Sequence, residues 1–85
     1  MKRDNYLLDF IYTEHVGRRS NQRGIRRKDI EYAIKHGRKI YKYGGICFFV
    51  GKKEVDREHD KLNGLHVIIE DNAIVTAYKN RIPNF

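Results

Sequence analysis

The apolar positions of this chain follow two different periods, and the change between them divides the sequence. From residue 27 to 36, Arg-Lys-Asp-Ile-Glu-Tyr-Ala-Ile-Lys-His, the apolar residues Ile30, Ala33 and Ile34 recur at helical spacing, and Ile25 can widen their face. Glu31 and Lys35 stand four apart on the outer side, and Gly37 follows Lys35 and His36 as a natural stop. Beyond Gly37 the period falls to two. Lys39 to Tyr43, Gly44-Gly45 and Ile46 to Val50 read as a β-hairpin. Leu65 to Glu70 and Ala73 to Lys79 read as a second hairpin around Asp71-Asn72. The charged stretch from 51 to 63 reads as a loop or a short surface helix. Residues 5–12 are ambiguous: Leu7, Phe10 and Ile11 suit a helix, while the aromatic and branched content suits a strand.

Thr13 to Ile25 stands apart. Thr13 suits an N-cap, Glu14 the first turn, and Gly24 a stop. Read as a helix, the stretch gathers His15, Arg18, Arg19, Gln22 and Arg23 within roughly 140°. Before the Gly24 stop Val16 is its one large apolar residue, whereas a helix docked on a core normally shows an apolar stripe. Either this helix is solvated, or its basic stripe lines a site. The expected architecture is α+β: two N-terminal helices followed by a four-stranded, mostly antiparallel sheet. On its last strand the two-residue period puts Ile74, Thr76, Tyr78 and Asn80 on one face.

Composition narrows the partners. With 18 Lys and Arg against 11 Asp and Glu, the net charge is +7 over 85 residues, which favours a polyanion. The length fits a single domain over 1–85. There is no apolar run long enough for a membrane span, and the N-terminal run broken by Asp9 is too short and polar for a signal peptide. Cys47 is the sole cysteine, so it forms no internal disulfide; within Ile-Cys-Phe-Phe-Val it reads as a buried, inert thiol, and a reducing cytoplasm is the expected setting.

The residues that could carry chemistry are few. His15 can act as base or acid, since imidazole titrates near neutrality. Arg19 and Arg23 can hold a phosphate, and Thr76 or Tyr78 can orient it. Together they suffice for metal-independent RNA cleavage, in which a ribose 2′-OH attacks its own phosphodiester. The plainer readings are a packing histidine and hydroxyls that merely favour strands. Arg18, Arg26, Arg27, Lys28, Lys79 and Arg81 read as cations that track a nucleic-acid backbone or stay solvated. His36 reads as a helix-end charge partner and His66 as sheet surface. Asp56, Glu58, His59 and Asp60 could hold a metal, but a solvated loop has the same composition, so no metal and no cofactor are expected. No Gly-rich phosphate loop, nucleophile elbow or zinc signature occurs.

The pattern His15-Val16-x-x-Arg19-x-x-x-Arg23-Gly24-Ile25, a following helix, and a closing Ile74-Val-Thr-Ala-Tyr78 resembles a small bacterial family of domains of unknown function. Its members typically run His-Ala, Arg, then Arg-Gly-Ile, and end Ile-Thr-Val-Tyr. That family is grouped with the barnase–EndoU–colicin–RelE-like ribonuclease toxin fold. The resemblance covers 13–81, leaving 1–12 as a lead-in extension and 82–85 as a tail. It implies a toxin-type endoribonuclease centred on His15, Arg19, Arg23 and Thr76, with RNA as substrate and an acidic antitoxin or immunity protein as a further partner. Ser20 departs from the pattern, standing where the family has Met or Leu. The alternatives are a non-catalytic RNA- or DNA-binding module, or an interaction domain for an acidic protein.

Overall fold

The computed structural model describes residues 6–42 and 44–80. The chain order is β1 (Tyr6–Leu7), β2 (Phe10–Ile11), α1 (Glu14–Gln22), α2 (Arg27–His36), β3 (Arg38–Lys42), β4 (Gly45–Val50), a 3-10 helix (Arg57–Leu62), β5 (Leu65–Glu70) and β6 (Ala73–Lys79). The six strands form one mixed sheet in the order β1-β2-β6-β5-β4-β3. This corrects the expected architecture. The sheet has six strands instead of four, two strands precede the helices, and a third helix separates β4 from β5. The physical reason lies in the lead-in, where Leu7 buries its side chain and Leu8 turns the chain at φ 57°. That turn folds β1 back on β2, with Tyr6 opposite Ile11 and Leu7 opposite Phe10. Ile11 then donates its N–H to the Asn72 carbonyl at 2.8 Å and lies parallel to Ala73. The tail and Arg81 lie outside the described residues, as does Tyr43.

The helix ends follow local chemistry. Thr13 Oγ1 accepts from the Val16 N–H at 3.2 Å and caps α1. At its other end Ile25 N–H donates to Ser20 O (2.9 Å) and Gly24 N–H to Asn21 O (3.0 Å). This pair of bonds is a Schellman motif, and it requires the positive φ (75°) that Gly24 adopts. The buried Ile25 that follows fixes the turn into α2. There Asp29 Oδ2 accepts from the Arg26 N–H at 2.9 Å, which satisfies one open donor of α2.

One sheet face carries Phe48, Val50, Leu65, Val67, Ile69, Ile74 and Ala77, all buried with Val16, Ile25, Ile30 and Ala33 of the helical side. Residues alternate across the sheet up to an irregularity in β6. Ile69 pairs with Ile74 and Ile68 with Thr76, so Val75 is the extra residue of a bulge. The expectation that Ile74 shares a face with Thr76 and Tyr78 is therefore corrected. The bulge turns Ile74 into the core beside Ala77 (2% and 0% exposed), and Thr76 and Tyr78 fall opposite Ile68 and His66. His66 is also corrected: it is buried instead of lying on the sheet surface. Its ring stacks on Tyr78 (centroids 4.8 Å, 9° between planes) and tilts against Phe49 at 4.8 Å. Its Nδ1 lies 2.9 Å from the Gly64 carbonyl. Cys47 on the same face is buried, and burial raises its thiol pKa.

Turn chemistry matches the sequence at the second hairpin, where Asp71 and Asn72 take φ of 51° and 65°. At the first hairpin Gly45 pairs with Lys42 and belongs to β4, while Gly44 turns at φ 77°.

Candidate functional site

β2 meets β6 only at Ile11 opposite Ala73. Among the described residues, the outer edge of β6 beyond that point has no neighbouring strand. α1 lies along it instead. Ser20, 1% exposed, is buried with Val16 on the side of α1 that packs against the rest of the fold. A recess of about 240 Å³ opens between the two elements, lined by His15, Val16, Arg19, Ser20, Arg23, Val75 and Thr76.

Arg23 defines the geometry. It is the C-cap of α1, and its Nη1 donates to Thr76 Oγ1 at 3.1 Å and to the Ala77 carbonyl at 3.0 Å. One guanidinium nitrogen thus occupies the open strand edge and satisfies a backbone acceptor that a further strand would have taken. The other guanidinium nitrogens are not used in either bond. Arg19 and His15 stand one and two helical turns before Arg23. Both are exposed, and both line the recess. His15, Arg19, Arg23 and Thr76, chosen from spacing and resemblance, therefore meet in one place. His15, Arg19 and Arg23 are all exposed, so the stripe is solvated and lines an open recess at once. Ser20 and Val75 were not candidates. Ser20 had a signal, its small size where an apolar side chain was expected; Val75 had none, because a bulge is set by pairing.

Tyr78 does not line the recess. It stacks on His66, and burial raises its phenol pKa. Arg27 donates to the Tyr6 carbonyl at 2.7 Å and lies over the Tyr12 ring (5.2 Å), so it ties α2 to the lead-in. Arg18 pairs with Glu14 at 3.4 Å on the surface, a contact worth little in water. Arg26 sits 3.9 Å from Asp29. Lys28 and Lys79 are exposed, and Arg81 is outside the described residues.

Asp56 meets the His59 ring, Oδ1 to Nδ1, at 2.7 Å. Among the described residues no three His, Cys, Asp or Glu side chains converge to hold a metal ion, so Asp56, Glu58, His59 and Asp60 form no such set. Also among them, no helix is long and apolar enough to cross a membrane.

The recess can do two things chemically. Its cations can hold a phosphate group, and its imidazole can accept a proton from a hydroxyl placed beside that phosphate. No curated protein and no solved structure matches the chain. One family model does, over residues 12–79, which takes in the recess, α2 and every strand from β3 to β6. By that match the chain belongs to DUF4258, a family described as a domain of unknown function.

Proposed function

We propose that this domain is a toxin-type endoribonuclease that cleaves RNA by metal-independent transesterification in the α1–β6 recess. The observation that carries the reading is the meeting of His15, Arg19 and Arg23 around Thr76 in one open recess. An exposed imidazole in line with two guanidinium groups is an arrangement suited to a phosphodiester with a neighbouring hydroxyl.

In this reading Arg19 and Arg23 hold the non-bridging phosphate oxygens, and Arg23 is oriented by Thr76 and the Ala77 carbonyl. His15 takes the proton of the ribose 2′-OH as its oxygen bonds to phosphorus. The bond from phosphorus to the 5′-oxygen breaks, and that oxygen takes a proton from solvent at the open mouth. The products are a 2′,3′-cyclic phosphate and a 5′-hydroxyl end. RNA is the substrate class because the nucleophile is the 2′-OH. The same cations would attract an acidic antitoxin or immunity protein. The reading assigns the domain to the cytoplasm, where a lone thiol such as Cys47 stays reduced.

Incubation with RNA in EDTA, wild type beside His15→Ala, tests the proposal. Removing a general base costs about 10²- to 10⁴-fold in rate. Because His15 is exposed, the substitution should leave the fold intact. Equal cleavage by both proteins, or none by wild type at any salt concentration, rejects the enzyme. Salt-sensitive binding without turnover, with losses spread over Arg18, Arg23 and Lys28, would instead identify a nucleic-acid-binding module.

A further inference from the structure

The sheet order β1-β2-β6-β5-β4-β3 leaves three places where a further strand could pair. Two of them are closed. β1 spans only Tyr6–Leu7, too short to template a partner. The outer edge of β6 has α1 along it and Arg23 in it, donating to the Ala77 carbonyl. The third is β3, Arg38–Lys42, which among the described residues has no strand on its outer side. Its length is that of an ordinary strand. Lys42 opposite Gly45 closes the first hairpin. Bonded and non-bonded pairs alternate in an antiparallel ladder, so the peptide groups of Arg38, Ile40 and Lys42 turn toward β4. Those of Lys39 and Tyr41 turn outward, with their N–H and C=O groups open to a partner.

Charge and apolar surface meet at the same edge. Between Glu31 and Glu54 the sequence runs for 22 residues without an Asp or Glu, and six of them are Lys or Arg. Both β3 and β4 fall in this run. Arg38 reaches Glu54 at 3.6 Å, yet its side chain is 51% exposed, and its fork has further donors. Lys39 is exposed, and its Nζ lies 5.3 Å from the centre of the Tyr41 ring. Tyr41 is 73% exposed, the most open of the large hydrophobic residues described. Charge alone is a common protection of a strand edge. An exposed aromatic ring in the middle of that edge is not, and tyrosine is enriched where proteins meet.

The edge also selects its occupant. Antiparallel pairing of two β3 strands about Ile40 would set Arg38 of one copy against Lys42 of the other, and like charges directly opposite destabilise a sheet. An RNA backbone carries no row of N–H donors at strand spacing. A peptide presents a donor and an acceptor at every second residue, as Lys39 and Tyr41 require. We propose that β3 receives an acidic, extended segment of another protein as an added strand. The segment's backbone pairs with Lys39 and Tyr41. Its carboxylates stand beside Lys39 on one face and Arg38 on the other, and an apolar residue covers the Tyr41 ring. β4 and β5 separate this edge from β6, roughly 14 Å at ordinary strand spacing. The proposal therefore does not rest on the RNA reading, and the added strand leaves the recess open.

The test follows backbone amides by NMR in nitrogen-15-labelled protein, titrated with a decapeptide of alternating Glu and Val. The Lys39 and Tyr41 amides should shift and slow their exchange with solvent, while Ile40 and Lys42, bonded to β4, are slow from the start. Tyr41→Pro removes an outward N–H and the ring but no bond to β4, and should weaken binding by about tenfold. Lys39→Glu should weaken it by about fivefold. Lys61→Glu, an exposed cation on the 3-10 helix, should change nothing. Circular dichroism checks each fold, and Lys39→Glu carries the test by itself if Tyr41→Pro does not fold. Equal binding of a decapeptide of alternating Lys and Val would overturn the proposal, as would shifts centred on α1 and β6. The same β3 shifts with a decauridylate would make the edge a nucleic-acid surface and overturn it. The same shifts on concentrating the protein alone would make it a contact between copies and overturn it equally.

Discussion

Replacing Arg23 with alanine separates the structural part of the recess from its chemical part. In the folded chain the guanidinium makes two hydrogen bonds to β6, at 3.1 Å to Thr76 Oγ1 and 3.0 Å to the Ala77 carbonyl. A hydrogen bond to a charged group can contribute about 1.5–3 kcal/mol when shielded. Arg23 is exposed, so water competes for both acceptors and most of that value is lost. About 0.5 kcal/mol per bond, or roughly 1 kcal/mol in all, is the reasonable figure. For a domain of this size that lowers Tm by about 4–8 °C. Thermal denaturation by circular dichroism measures it. A double-mutant cycle with Thr76→Val isolates the side-chain bond and should give a coupling of about 0.5 kcal/mol. The loss of phosphate contact should be larger, roughly 10²- to 10³-fold in the proposed cleavage rate, as expected when one oriented donor leaves a reacting anion. Arg23→Lys keeps the charge but lacks the planar fork, so it should behave much more like alanine than like wild type in rate. An unchanged Tm in Arg23→Ala together with zero coupling to Thr76 would refute the anchoring argument. Full activity in Arg23→Lys would refute the role of the fork.

Two further outcomes test the frame that holds the site. Gly37 closes α2 where an added Cβ would stand 2.4 Å from the Ala33 carbonyl oxygen and 3.1 Å from that of Phe49. Both obstacles are backbone, so Gly37→Ala should cost about 1–3 kcal/mol in urea denaturation, and an unchanged midpoint would contradict the packing. Burial holds the His66 imidazole pKa below its ordinary value, against a smaller opposing effect of its bond to the Gly64 carbonyl. The sign follows from which state binds the proton. Above about pH 6.5 both states are neutral and the full stability is present; as pH falls from there, the unfolded chain protonates first and stability declines toward the folded pKa. His66→Phe should flatten that decline below about pH 6.5, and identical slopes in the two proteins would place the titration elsewhere.

Local signals accounted for much of this molecule. The i, i+3, i+4 spacing of Ile30, Ala33 and Ile34 places a helix over the observed Arg27–His36. The Asp71-Asn72 pair places a turn whose two residues both take positive φ. What local spacing could not show depends on distant pairing. The lead-in became strands because Ile11 finds Ala73 at the far end of the chain. The bulge at Val75 shifts alternation by one residue, and only the β5 partner reveals it. His66 looked like surface because a single strand does not show the Phe49 and Tyr78 rings that enclose it. In the site, the helical stripe was legible because one turn of helix brings His15, Arg19 and Arg23 into line. The tie from Arg27 to Tyr6 was not, since it needs the lead-in hairpin to exist.

The bond from Arg23 to Thr76 spans 53 positions of sequence, and this bears on how the protein is made. One wall of the recess leaves the ribosome well before the other. At synthesis rates of about 5–20 residues per second, roughly 3–10 s separate the two. During that interval α1 has no sheet edge to lie on and the recess does not exist. A nascent chain in that interval therefore lacks the recess, and with it the chemistry proposed for it. The recess forms only after β6 has emerged and docked on α1, so the order of synthesis itself sets when the proposed chemistry can begin.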